Sequence, residues 1–469
     1  MKSIQKSKWI SLLIVSSAMF LAVIDIFIVN VAIPAIQKGI NGTEGDIQLV
    51  IALYLLGYAA FLITAGKIGD RYGRKRVFVT AMFVFTLSSL LCGISQTALQ
   101  LNTARFLQGV SAAFMIPQSI AYIQFYFPEQ RERIKAMGIF GSIAGAASVI
   151  GQFLGGVLPD TDWIIAGWRL IFLINLPIGL IAVMLAWRKL EDTPRQITGS
   201  FDYMGVTLLT SALICLIYPL IRGRELGWPL WSLFGLGASV ILLIVFIFNQ
   251  RKGTIAGVDR LINMQLFAFT DFNLSLCAVL FYFLVQDTYF LINALLFQNG
   301  FGMSSSETGV FFVAQGAGYV SASLFAIRLI PVYGKKVLQT GVVIMLISLV
   351  FHVLFFRSAD ISRWIIYPVL FIYGTGCGSV LPSLMTMALR GIPVHLSGAA
   401  AGTFSTFQQT AIALGIGLVG GVFFYCLNGE VSTQAYVYAY DITTVLNVIL
   451  LLLVSFFLYL LPGDVATQD

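Results

Sequence analysis

The sequence predicts an all-α membrane protein of fourteen spanning helices. Three observations carry this: fourteen apolar stretches of spanning length, charges confined almost wholly to the short links between them, and basic links that recur after every second stretch. Hydrophobic residues make up 58% of the 469 and charged residues only 10%, with a mean hydropathy of +0.90. No soluble globular domain has this balance. The net charge of +7 would suit nucleic acid, but its cations sit in short loops rather than on one amphipathic face, so no nucleic-acid partner is expected.

The first stretch, 9 to 33, follows Lys2, Lys6 and Lys8 as a signal peptide would. It runs past the usual ~15 apolar residues without a small-residue cleavage site, and is expected to be a retained helix. Five more stretches follow at 47 to 65, 77 to 96, 99 to 124, 136 to 158 and 168 to 187. Two lie at 203 to 221 and 229 to 249, and a final six at 272 to 297, 307 to 330, 337 to 356, 364 to 389, 398 to 425 and 441 to 461. Most of the 28 Lys and Arg occupy the N-terminus and the links after even-numbered stretches. Lys38, Arg169, Arg222, Arg224, Arg357 and Arg363 border the opposite side, and Arg105 lies inside a span. Both termini are therefore expected on the cytoplasmic side. The five cysteines, Cys92, Cys215, Cys277, Cys377 and Cys426, stand singly in apolar segments, a pattern of neither disulfides nor a metal site. No cofactor is expected.

The longest polar interruption runs from Arg251 to Asp271. Across it, Tyr333-Gly334-Lys335-Lys336 echoes Tyr72-Gly73-Arg74-Lys75, each following the second stretch of a six-helix set. The expected organisation is a bundle over 1–190, two inserted helices over 191–250, a cytoplasmic connector over 251–271 and a second bundle over 272–469.

Residues 66 to 77, GKIGDRYGRKRV, place five cations, one carboxylate and three glycines in a hinge between two spans. Gly66, Gly69 and Gly73 remove bulk where backbones turn or approach, and Asp70 can accept from an exposed helix N-terminus. The string resembles the signature loop of the major facilitator superfamily. LAVIDIFIVNVAIPAI (21 to 36), GWRLIFLINLPIG (167 to 179) and FDYMG (201 to 205) resemble motifs of its fourteen-span drug:proton antiporters. LNTARFLQGVSAAFMIP (101 to 117) resembles the superfamily's fourth-helix motif, with Arg105, Gln108 and Gly109 in register, and GTGCGSVLP (374 to 382) a pattern of the second bundle. The resemblance implies the major facilitator fold of two six-helix bundles, here with two inserted helices. It also implies proton-coupled export of amphipathic or cationic small molecules by alternating access. Two departures weaken the inference to antiport. Gln152 stands where the fifth-helix motif has proline, and Gln408 and Gln409 lie where a basic residue often precedes the glutamine.

Three charged residues fall well inside spans: Asp25, Arg105 and Asp287. Such charges are costly in a membrane and mark function by default. Asp25 is roughly 24 Å from the cytoplasmic end of its helix, at 1.5 Å per residue, and Arg105 about 9 Å from the opposite face, so their depths overlap. Asp287 lies at a similar depth in the corresponding helix of the second bundle. The expectation is that Asp25 and Asp287 bind protons, with Arg105 tuning a neighbouring carboxylate. The alternatives are a static ion pair for Asp25 and Arg105, and a structural or substrate-lining role for Asp287. Isolated in sequence, His352 and His395 read as structural. Asn30, Gln108, Gln118, Gln152, Gln286, Gln315, Gln408 and Gln409 are candidates for lining a substrate cavity, or for interhelical hydrogen bonds. For the gate, Asp70 is expected to approach the helix starting near His395, Ser397 and Gly398, with Arg71 and Arg74 anchoring the loop.

An ATP-driven pump is disfavoured by the lack of a GxxxxGK[ST] loop, and a membrane enzyme by short loops without clustered catalytic residues. The alternatives are an exporter of one metabolite, lipid or siderophore, a proton-coupled nutrient symporter, and, from another class, a non-transporting sensor or scaffold. Small-molecule substrate, protons and membrane lipid are the expected partners of a monomer in a bacterial inner membrane.

Overall fold

The computed structural model describes residues 2–161, 165–193, 202–255 and 260–462. Phe201 of the FDYMG string and residues 256–259 of the connector lie outside them. Among the described residues, fourteen helical segments are long and apolar enough to cross a membrane, making this a multi-pass integral membrane protein. They divide into two compact units, Met1–Ile262 and Asn263–Asp469.

The first unit contains α1 (Lys2–Ile40), α2 (Glu44–Tyr72), α3 (Arg74–Ile94), α4 (Ala98–Tyr126), α5 (Gln130–Val157), α6 (Gly167–Leu173), α7 (Asn175–Lys189), α8 (Tyr203–Glu225) and α9 (Leu230–Ile255). Together α6 and α7 make one span, interrupted at Ile174. The second unit contains α10 (Thr270–Leu295), α11 (Ser305–Tyr333), α12 (Lys335–Phe355), α13 (Arg363–Leu389), α14 (Val394–Leu427) and α15 (Thr433–Leu460).

Local chemistry sets the helix ends in matching ways in the two units. Thr43 and Asp46 form a reciprocal capping box at the start of α2, and Ser304 and Glu307 form the same box at α11. Each of these helices has 29 residues, and each ends at a glycine, Gly73 or Gly334, with φ of 99° and 52°. That left-handed backbone suits glycine and turns the chain directly into a 21-residue helix, α3 or α12.

Packing repeats as well. A Cβ on Gly57 would collide with the Phe106 carbonyl and one on Gly109 with the Tyr54 carbonyl, so α2 and α4 touch backbone to backbone. In the second unit Gly318 meets the Phe371 carbonyl and Gly374 the Gln315 carbonyl in the same way, between α11 and α13. Gly151 and Gly155 of α5 lie against the Ile24 and Ile28 carbonyls of α1, as Gly415 of α14 lies against Leu284 of α10. These small residues give dispersion contact that side chains would prevent, which is how helices associate where lipid offers no hydrophobic drive.

The inserted pair α8–α9 belongs to the first unit and is tied to it at both ends. At one end Arg222 donates to Asp46 at 2.6 Å and to Glu225 at 2.5 Å, while Arg224 faces Glu44 at 3.4 Å. At the other, Asp202 caps α8 through the Gly205 N–H and accepts from the Gln250 amide of α9, the Leu261 N–H and the Arg260 guanidinium. Burial alone would raise the Asp202 pKa, but these four donors outweigh it and hold the carboxyl below its usual range. Lys67 of α2 then donates to the Arg260 carbonyl at 2.9 Å.

Several helices extend past their apolar stretches. α1 continues through Pro34 to Ile40, and α15 begins at Thr433 rather than 441. Asp441 consequently lies about 12 Å inside a helix, at 1.5 Å per residue, and is a further charge within a span that hydropathy placed at its edge.

Candidate functional site

Asp25 and Arg105 meet in the core of the first unit, where they are 0% and 1% exposed. Gly109, one turn after Arg105, lets α4 approach α2 closely enough for the guanidinium to reach α1. There Arg105 Nη1 pairs with Asp25 Oδ2, and it also donates to Gln108 Oε1 at 2.8 Å. Arg105 Nε donates to the Val50 carbonyl at 3.0 Å, and the guanidinium lies 4.4 Å from the centre of the Tyr54 ring. The cation therefore has an anion, two neutral acceptors and an aromatic face around it, which offsets the cost of burying it.

The carboxylate is equally well surrounded. Asp25 Oδ1 accepts from Gln108 Nε2 at 2.8 Å and from Asn175 Nδ2 at 3.1 Å. Asn175 is the first residue of α7, immediately after the Ile174 interruption, and also donates to Ser89 Oγ at 3.0 Å. Ser89 in turn donates to the Phe172 carbonyl. Side chains from α4 and α7 thus converge on the carboxylate of α1, and all three that touch it are donors. This donor set fits the ionised form. The Asn175 Oδ1 atom is buried and has no donor.

Sequence motifs singled out Asp25, Arg105 and Gln108, and the structure brings all three together. They did not single out Asn175, Ser89 or Tyr54. The signal for Asn175 was an amide in an apolar run two residues before Pro177, where the helix is broken.

The remaining candidates are dispersed. Gln118 donates to the Ala65 carbonyl at 2.8 Å and occupies the space a Cβ on Gly69 would need, making it a contact between α4 and α2. Gln152 and Asn30 are buried, as are Gln315 and Gln409, while Gln408 is half-buried. Buried Gln152, Gln315 and Gln409 each keep an Oε1 atom without a donor. Asp287 is 5% exposed, next to Gln286, which accepts from the Cys377 thiol at 3.5 Å.

The second unit has different residues at the positions of the ion pair's cation and its neighbour. The glycine register between α2–α4 and α11–α13 puts Leu370 in the place of Arg105 and Tyr373 in that of Gln108. Tyr373 stacks on Tyr289 at 3.7 Å, and the Tyr289 hydroxyl lies 2.7 Å from His352 Nε2. His352 Nδ1 faces the Ser348 carbonyl at 2.7 Å, so Nδ1 carries a proton and donates there, while Nε2 is met by the Tyr289 hydroxyl. His352 is a fully partnered core residue.

In the hinge loop, Asp70 is already engaged. Arg74 donates to Asp70 Oδ1 from Nε at 3.0 Å and from Nη2 at 2.9 Å, clamping the loop across the Gly73 turn. The Arg71 guanidinium lies 5.8 Å from the Tyr72 ring. A Cβ on Gly66 would meet nothing within 4 Å, one on Gly69 would strike the Gln118 amide, and Gly73 makes the turn at a φ of 99°. The side chains of His395 and Ser397 lie outside those described.

Comparison with known proteins agrees with this architecture. A family model described as Major Facilitator Superfamily matches residues 15–416. The chain is 31% identical over 430 residues to a probable actinorhodin transporter of Streptomyces coelicolor, covering 91% of this chain and 74% of that one. It is 28% identical over 419 residues to the multidrug resistance protein Stp of Mycobacterium tuberculosis, covering 89% and 76%. Among solved structures, the inward-open xylose transporter XylE from E. coli superposes with a TM-score of 0.67 at 13% identity over 98% of both chains. At that identity it speaks for the fold alone.

Proposed function

The chain belongs to the major facilitator superfamily, and from that premise we propose that it is a proton-coupled exporter of amphipathic or cationic small molecules working by alternating access. The observation that carries the proposal is the Asp25 site: a carboxylate sealed from water and held by a guanidinium and two amides. The names of relatives, a transporter of an antibiotic and a multidrug resistance protein, support export as the direction and drug-like molecules as the cargo.

A proton and Arg105 compete for Asp25. Protonation cancels the charge that Arg105 neutralises, leaving the guanidinium to Gln108, Val50 and the Tyr54 ring. The new O–H needs an acceptor, and Asn175 Oδ1, lacking a donor, supplies one once its amide rotates. The exchange changes the bonds that α1 makes to α4 and α7, so protonation biases the unit between two packings. Asp287 is proposed as a second proton-binding carboxylate. The Asp70–Arg74 clamp is proposed to hold the cytoplasmic hinge, with both termini on that side of a bacterial inner membrane and the protein working as a monomer.

The test is flux in proteoliposomes with an imposed pH gradient, screened over cationic and neutral amphiphiles. Uphill efflux in the wild type and its loss in Asp25→Asn is the expected result. Flux with unchanged pH dependence in Asp25→Asn, Asp287→Asn and the double variant overturns the assignment of coupling.

A further inference from the structure

Two residues of the sequence motifs have no part in the Asp25 site: Lys67 of the hinge loop and Asp202 of FDYMG. Both meet the chain where it leaves the first unit. Asp202 Oδ2 accepts from the Leu261 N–H at 3.1 Å, and Lys67 donates to the Arg260 carbonyl at 2.9 Å. Gln250, fully buried in α9, completes the knot. Its Nε2 donates to Asp202 Oδ2 at 2.8 Å, and its Oε1 accepts from the Ile262 N–H at 2.9 Å. The backbone from Arg260 to Ile262 is thus fastened to α2, to α9 and to the cap of α8. Such bonds hold a segment in place because breaking one strands a buried polar group away from water.

Within a few residues the chain is held again, now to the second unit. Met264–Ala268 forms a 3-10 turn that Asn263 caps, through Oδ1 to the Gln265 N–H at 3.0 Å and through its carbonyl to the Leu266 N–H at 3.2 Å. Leu266 is fully buried, Phe267 packs on Phe272 with ring centres 6.1 Å apart, and Asn273 of α10 donates to the Phe267 carbonyl at 2.8 Å. Ile262 therefore belongs with the first unit and Asn263 with the second, and the division between the units falls between them. A long flexible linker would tether two bodies loosely, anywhere within its reach. A link fixed on both sides allows rotation about one point.

We propose that the Ile262–Asn263 link is the pivot of the rocking motion, with Lys67, Asp202 and Gln250 as the positioning residues that anchor it beside the hinge loop. The proposal rests on the alternating-access reading above. The φ/ψ change of each half-cycle is taken up at this link, as a hinge of a few loop residues does.

Hydrogen exchange on the wild-type protein is one test. The Leu261 and Ile262 amides are expected to exchange as slowly as the adjoining helix ends, and free exchange there overturns the pivot, because an unfastened stretch cannot bear one. The other is uphill flux after a Gly-Ser-Gly-Ser insertion between Ile262 and Asn263, compared with the same insertion after Gly429 in the turn between α14 and α15. Loss of flux from the first and normal flux from the second is expected. Undiminished flux in both makes the linker a passive tether, which overturns the proposal and leaves alternating access intact. Gln250→Met keeps the side-chain length but neither bond, and decides the matter where insertions damage the fold at both points. It is expected to speed exchange at Ile262 by about tenfold, the weight of one hydrogen bond, and to lower flux. Faster exchange with unchanged flux also overturns the pivot. If the wild type moves nothing uphill, the exporter reading falls, and the exchange pattern alone decides the pivot.

Discussion

The Asn175 amide reaches Asp25 Oδ1 at 3.1 Å across a sequence separation of 150 residues, drawing the break in the sixth span onto the carboxylate of the first. An amide there, rather than a second cation, leaves the pair's charge balanced and keeps a buried acceptor in waiting. Asn175→Leu, which keeps the branched outline but removes the amide, is therefore expected to shift the pH dependence of gradient-driven flux. An unshifted profile at normal expression would reduce Asn175 to a packing residue.

Arg105 is held by geometry as much as by charge. Its Nε and Nη1 serve three different acceptors, which a lysine ammonium on a flexible stem cannot match. Arg105→Lys is expected to lower flux by at least about tenfold, the equivalent of one lost charge-assisted bond. Arg105→Ala leaves a buried carboxylate uncompensated and should cost about 3 to 5 kcal/mol in stability. Thermal unfolding in detergent separates the two effects.

The glycines offer a paired comparison. Gly109→Ala forces α4 away from the Tyr54 carbonyl, an overpacking expected to cost about 1 to 3 kcal/mol and to pull Arg105 from Asp25. Gly66→Ala meets open space and should leave the unfolding temperature unchanged. If both alanines are equally tolerated, helix contact at Gly109 is not what positions the guanidinium.

Asp202 gives a pH dependence whose sign is fixed. Its folded pKa lies below the ordinary value near 3.9, so it contributes stability above that pH and loses it as pH falls through the folded value. The gap in unfolding temperature between wild type and Asp202→Asn should be constant from about pH 8 to about pH 5 and close below about pH 4. A gap that instead widens on acidification would contradict the donor set around this carboxylate.

Much of this arrangement was legible in the sequence, and the exceptions have physical causes. Asp25 and Arg105 stand out because a charge in an apolar run is expensive, and the fourth-helix motif supplied Gln108. Asn175 offered only an amide before Pro177, and Ser89 is a common small polar residue inside α3, so only the fold joins Asn175 to Asp25 and Ser89 to Asn175. Hydropathy marks the edge of the hydrocarbon layer, not the end of the helix, so the extension of α1 to Ile40 and the start of α15 at Thr433 went unread. The depth estimate placed Asp25 and Asp287 at similar levels, but the partners of a carboxylate depend on its helix face. In the second unit, Leu370 holds the position that Arg105 holds in the first.

The Asp25–Arg105 pair also has an electrical consequence. Opposite charges side by side present no net charge to the voltage across a membrane, so the resting site feels almost no force from it. Adding a proton turns the pair into a single positive charge, on which each 100 mV acts with about 2.3 kcal/mol for full transit. A transporter that takes up its proton at Asp25 would thus be pushed by voltage in its loaded state and released from that push when empty.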